Sequence, residues 1–148
     1  MSVSLVALIN LWTVAFNQYT RTGEVQMAAQ LARAELERCK AFGTDNLPLG
    51  SVSGTTATYT GSFNTASNTW ASGTIQYYDY TGTRLSGANA AGVRFSLTDT
   101  ITDADIQTTA SSYGFSIKSK RSVVVTVTAL PAGTQVVKMG TNIVKGGL

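Results

Sequence analysis

The chain has 148 residues, a hydrophobic fraction of 43%, a charged fraction of 13% and a net charge of +3. That length suits one domain of ~100–200 residues, and charges at about half the usual ~25% favour a secreted or cell-surface β-rich domain over a cytosolic enzyme. With no histidine and Cys39 as its one cysteine, it excludes Ser-His and Cys-His pairs, the commonest general base and metal ligand, and any intrachain disulfide.

No charged residue precedes Arg21. From Val3 to Phe16 an apolar run is interrupted only by Ser4, Asn10 and Thr13, and it is shorter than the ~20 residues a spanning helix needs. A secretory signal would require a basic n-region and a small-x-small cleavage site. Neither is found, so the segment is expected to stay on the protein.

One continuous helix is predicted from about Val3 to Phe42, free of proline and with Gly23 as its weak point. At ~1.5 Å per residue it would extend ~60 Å, beyond the width of a domain this size, so part of it must protrude. In its rear half Val25, Ala28, Ala29, Ala32, Leu36 and Cys39 recur at helical spacing and are read as the seam against a sheet. Arg33, Glu35, Glu37, Arg38 and Lys40 are assigned to the remaining, solvated surface. Gly43 is the expected stop, and Lys40 suits the negative end of the helix dipole. The front half is apolar nearly all round and must be covered by lipid or by other helices. The chain therefore divides into an apolar helix half, residues 1–22, and a globular domain, residues 23–148.

After Gly43 comes a loop-like connection holding "TDNLPLGS", a short strand "TATYTG" and "NTASNTW". The hydrophobic period then changes to two. "GTIQYYDYTG" reads as a strand with a turn, and "GVRFSLT" sets Val93, Phe95 and Leu97 on one face. "YGFSIKS" aligns Tyr113, Phe115 and Ile117, and "RSVVVTVTAL" aligns Val123, Val125, Val127 and Ala129. "TQVVKMGTNIV" closes the series, joined to the previous strand by the hairpin loop "LPAGT". These are half-buried antiparallel strands with one apolar face. Only the helix is available to cover that face, so the fold class is α+β: a long helix whose rear half lies on an antiparallel sheet.

The uncharged front, the run "AAQLARAELERCKAFG", the Ser/Thr/Gly-rich loop and the closing "RSVVVTVTALPAGTQVVKMGTNIVKGG" together resemble the type IV pilin superfamily. The likeness is greatest to minor pilins and to the I-type minor pseudopilin of type II secretion. It spans most of the chain but rests on composition more than on fixed motifs. Proteins of that group usually carry a short basic leader cut before Phe or Met, and a glutamate early in the apolar stretch. Leu5 stands where that glutamate would fall if Met1 were the mature start. Setting "LARAELE" at its usual depth implies that several residues are missing from the front.

The resemblance implies a structural subunit, not an enzyme, of a type IV pilus, competence pilus or type II secretion pseudopilus. It would wait in the inner membrane facing the periplasm, then join other pilin or pseudopilin subunits in a filament on the cell surface. Packing would fall to Val3, Leu5, Val6, Leu8, Ile9, Leu11, Trp12 and Phe16, in a heterologous, non-closing assembly. The second expectation is a membrane-anchored or secreted β-domain that binds a ligand.

No cofactor or small-molecule substrate is expected. Some relatives in the superfamily bind calcium, and Asp99, Asp103 and Asp105 in "SLTDTITDADIQ" are the residues that could supply hard oxygens. Their spacing is not that of an EF-hand loop, and a solvated turn is the simpler reading. Some minor pilins take part in DNA uptake, which makes Lys118, Lys120, Arg121 and Lys138, with Lys145 nearby, the candidate phosphate contacts. Alternation splits these between sheet faces and loops, as in a solubilised β-edge. Trp70, Tyr77, Tyr78 and Tyr80 could stack on a sugar or polymer, although strand aromatics are more commonly buried.

Overall fold

A computed structural model describes residues 2–53, 56–65, 67–103 and 120–144, with backbone alone for residues 2–8 and 10. Helix α1 runs Ser2–Asn46 and is helical throughout except at Gly43, where φ is 67° and ψ 178°. This left-handed φ is open to glycine at little cost, and it ends the main rod where the sequence placed the stop. A last turn follows, burying Thr44 and delivering the buried Leu47 to the base of the sheet.

Among the described residues, eight strands form one antiparallel sheet: β1 Ser51–Ser53, β2 Thr56–Asn64, β3 Thr69–Ser72, β4 Gln76–Tyr78, β5 Arg84–Leu85, β6 Phe95–Asp103, β7 Lys120–Ala129 and β8 Thr134–Val144. Strand β6 is the hinge of the topology. One edge of it pairs along its length with β7, from Phe95 opposite Ala129 to Thr102 opposite Ser122. Its other edge is shared, with β4 against Phe95–Leu97 and β2 against Asp99–Asp103. Strand β8 then pairs with β7, and β3 and β1 pair with β2. The β7–β8 loop lies at Leu130–Gly133, with a cis Leu130–Pro131 bond and Gly133 at φ 67°.

The rear of α1 lies on β7 and β8 and reaches β6. Between them sit Ala28, Ala32, Leu36 and Cys39 from the helix and Phe95, Leu97, Ile101, Val123, Val125, Val127 and Ile143 from the strands, all buried. The small side chains at 28 and 32 are fully enclosed, which is what close approach of a helix to a sheet requires. At the lower end Phe42 meets Phe63 at 4.8 Å and Trp70 at 5.8 Å between ring centroids, joining the helix to β2 and β3.

The seam departs from the sequence reading at two helix positions. Val25, assigned to it, is exposed, and Ala29 is only half-buried. Glu35, assigned to solvent, is 1% exposed. The stripe on the helix is therefore Ala28, Ala32, Glu35, Leu36 and Cys39, supported by the half-buried Met27, Leu31 and Phe42. Val25 keeps helical register with Ala32 and Leu36 but remains 45% exposed. The expected strand at 113–119 lies outside the described residues.

Candidate functional site

The helix first meets the globule at Gly23. The β4–β5 turn carries Tyr80 onto the helix, and a Cβ built at Gly23 would stand 2.7 Å from its hydroxyl. A side chain at position 23 would require the end of the Tyr80 ring to move aside. The turn is held by Asp79, whose Oδ1 accepts from the Thr81 amide at 2.8 Å, the Thr81 hydroxyl at 2.7 Å and the Thr83 amide at 2.8 Å. These bonds, led by the Thr81 hydroxyl, keep the Asp79 carboxyl below its ordinary pKa.

Ahead of Gly23, residue 9 and residues 11–22 are all exposed. Leu11 is 73% and Trp12 71% exposed, with Ile9, Val14, Phe16 and Tyr19 also open. At 100° per residue these side chains spread over about 220° of the circumference, wider than one neighbouring helix covers, and leave a polar strip of Thr13, Asn17 and Thr20. The segment from Ser2 to Thr22 would extend about 30 Å. Its polar residues are partly silenced from within. Thr13 Oγ1 donates to the Ile9 carbonyl at 2.8 Å, Thr20 to Phe16 at 2.7 Å and Thr22 to Gln18 at 2.8 Å. A hydroxyl bonded to its own backbone needs no water, so these positions tolerate apolar or protein surroundings. Among the described residues, no helix is long and apolar enough to cross a membrane. The side chains of Val3, Leu5, Val6 and Leu8 lie outside the described part.

The other candidate clusters do not assemble. Asp99 and Asp103 are in strand β6, not in a loop, and both point into the core at 0% and 3% exposure. Four residues of extended chain separate them by ~13 Å, too far to share an ion. Asp99 faces the helix, whereas Asp103 Oδ2 lies 3.8 Å from Arg121 Nε. Asp105 is outside the described residues, and the described residues contain no group of three or more metal-ligating side chains.

Arg121 is likewise excluded as a DNA contact, being fully buried. Its Nη1 donates to the Leu47 carbonyl, so it clamps the exit of the helix to the start of β7. Lys120 and Lys138 are exposed and share the outer face, since Lys138 is opposite Thr126. Six residues along β7 put them ~20 Å apart, and Lys118 and Lys145 lie outside the described residues. The aromatics also separate. Trp70 packs with Phe42, Phe63 and Tyr59, while Tyr78 is in the core and Tyr80 rests on the helix. On the outer sheet face Tyr77 borders an open depression of about 500 Å³ with Ile75, Val93 and Pro131 and no charged side chain.

Sequence reasoning missed the polar groups inside the core. Glu35 meets Asp99 across the seam, and Arg121 meets Asp103. The signal was available in both cases: Glu35 falls on the stripe of Ala28, Ala32 and Cys39, and Leu97, Asp99, Ile101 and Asp103 alternate without a break.

Comparison with known proteins leaves this arrangement without a match, whether to a protein-family model, a curated protein or a solved structure.

Proposed function

We propose that this chain is a filament subunit of the type IV pilin kind, a minor pilin or pseudopilin of a pilus, competence pilus or type II secretion pseudopilus. It assembles by packing its front helix among the front helices of other copies or related subunits. The observation that carries the reading is the broad apolar surface of the helix ahead of Gly23, which the described part of its own domain leaves uncovered. Uncovered apolar area of this extent is unfavourable in water at ~25 cal/mol per Å².

Supporting it are the internally bonded threonines, which suit protein surroundings, and a rod continuous with the globular domain. The sequence likeness supplies the class of assembly. Before assembly the same surface rests in the inner membrane with the domain in the periplasm. The subunit has no catalytic role in this reading.

The test compares the full chain with one lacking residues 1–22 and with Trp12→Glu, in cells making the filament. Both variants are expected to fold and neither to appear in sheared or cross-linked filaments. Incorporation of the truncated chain would remove the helix from the assembly role. A truncated chain that is released from the membrane while the full chain never enters a filament would favour the anchored binding module.

A further inference from the structure

The most unusual chemistry in the molecule lies behind the helix, away from the proposed assembly surface. Glu35 projects from α1 and Asp99 from β6, at 1% and 0% exposure, within hydrogen-bonding reach of each other. If both are ionised, Glu35 Oε1 and both Asp99 oxygens are buried acceptors with no donor among the described residues. Such groups are costly in a low-dielectric interior, and two like charges at this range cost more.

Compensating charge is scarce. Arg38 Nη1 lies 2.8 Å from Glu35 Oε2, and Arg84 on β5 acts on Glu35 from further away. Among the described residues, the other titratable groups facing the pair are the Cys39 thiol on α1, the Tyr59 phenol on β2 and the Tyr78 phenol on β4. None of these three is a cation, and Tyr78 gives its hydrogen to Gln76 Oε1. One close guanidinium faces two carboxyls.

We propose that Glu35 and Asp99 share one proton across the helix–sheet seam, making a clasp that closes α1 onto the sheet in acid and loosens in mildly alkaline solution. The proton supplies the donor that the site lacks. It leaves one negative charge, and Arg38 matches that charge. Loss of the proton sets two carboxylates face to face beneath the helix, at the stripe that joins it to β6.

The titration follows the same direction. Burial first, and then the Glu35 carboxylate, push the Asp99 carboxyl from its ordinary 3.8 up to about 8. Glu35 is also raised, chiefly by burial. Because the folded value lies above the unfolded one, the native state keeps a proton that the unfolded chain has lost. The contribution to stability is complete below about pH 4, declines through the interval and is lost above about pH 8. The clasp does not depend on how the front helix is used.

The decisive measurement is made on the full chain without mutation. At about pH 6 the infrared spectrum is expected to show the carbonyl stretch of a protonated carboxyl that persists in the folded protein and disappears on unfolding. Its absence would overturn the proposal. The band is also expected to vanish in Asp99→Asn, and a band of equal intensity in that variant would assign it elsewhere and overturn the pairing.

Opening is read at Cys39, the chain's one cysteine, which is fully buried beside the pair. Between about pH 6 and pH 9, thiol labelling of the native protein is expected to accelerate about tenfold more in the wild type than in Asp99→Asn, which carries the same thiol. Parallel acceleration would show that the pair does not govern the seam. If Asp99→Asn fails to fold, Glu35→Gln serves in both comparisons, and the wild-type spectrum decides alone if neither variant folds.

Discussion

Three side chains show how much single residues govern here. Leu36 is 8% exposed at the centre of the seam, and Leu36→Asp would place an unpaired charge there. A loss of about 3–5 kcal/mol is expected, read as the shift in urea midpoint; an unchanged midpoint would move Leu36 off the seam. Arg121 links the Leu47 carbonyl to the neighbourhood of Asp103 with no exposure of its own. Arg121→Met removes the guanidinium beside a buried carboxylate and is expected to cost a similar ~3–5 kcal/mol, whereas Arg121→Met with Asp103→Leu restores part of the loss. Additive losses in the double variant would show that the two do not act together. Asp79 acts through geometry at the surface. Its pKa is lowered by the turn it holds, so its contribution is present above the unfolded value and is lost as pH falls through the folded one. In Asp79→Ala, the Thr81 and Thr83 amides are expected to exchange faster with solvent while core amides keep their protection.

At the scale of elements, the alternation of β7 is visible in sequence because Val123, Val125 and Val127 oppose Thr126 and Thr128, and all three valines are buried. The helix stop at Gly43 and the hairpin at Leu130–Gly133 are local matters of backbone freedom and turn chemistry, and they too are legible. The buried carboxyls are legible only as charges standing on apolar stripes, and their pairing is not, for a physical reason. A charge reads as solvated until its partner is known, and the partners Glu35 and Asp99 are in different elements far apart in the chain. Val25 fails for the complementary reason: its spacing is right, but whether a sheet lies opposite depends on where distant strands end. The alanine stripe gives this scale its own test. Ala32 is fully enclosed, so Ala32→Leu is expected to force the helix away from β7 at a cost of about 1–3 kcal/mol. A variant as stable as the wild type would mean the seam holds unfilled space.

For the whole molecule, Gly23 divides the exposed front of the helix from the part that packs on the sheet. Among the residues whose side chains are described, 11–22 are all exposed and every buried helix residue lies behind them. Removing residues 1–22 is therefore expected to leave the melting temperature within a few degrees of the full chain while raising solubility without detergent. A large drop would show that the front half supports the globule. The α+β architecture was readable from the change in hydrophobic period, since one helix and one single-faced sheet have only each other to cover. The exposed stretch of helix was readable as an uncharged, largely apolar front, and among the described residues it has no covering partner.

The uninterrupted rod also fixes how a mechanical load would travel. No break separates Ser2 from Gly43, so tension applied at the tip passes along the axis into the domain without bending a joint. The seam from Ala28 to Cys39 runs parallel to that pull. Its contacts are strained together in shear, and none is peeled away ahead of the rest.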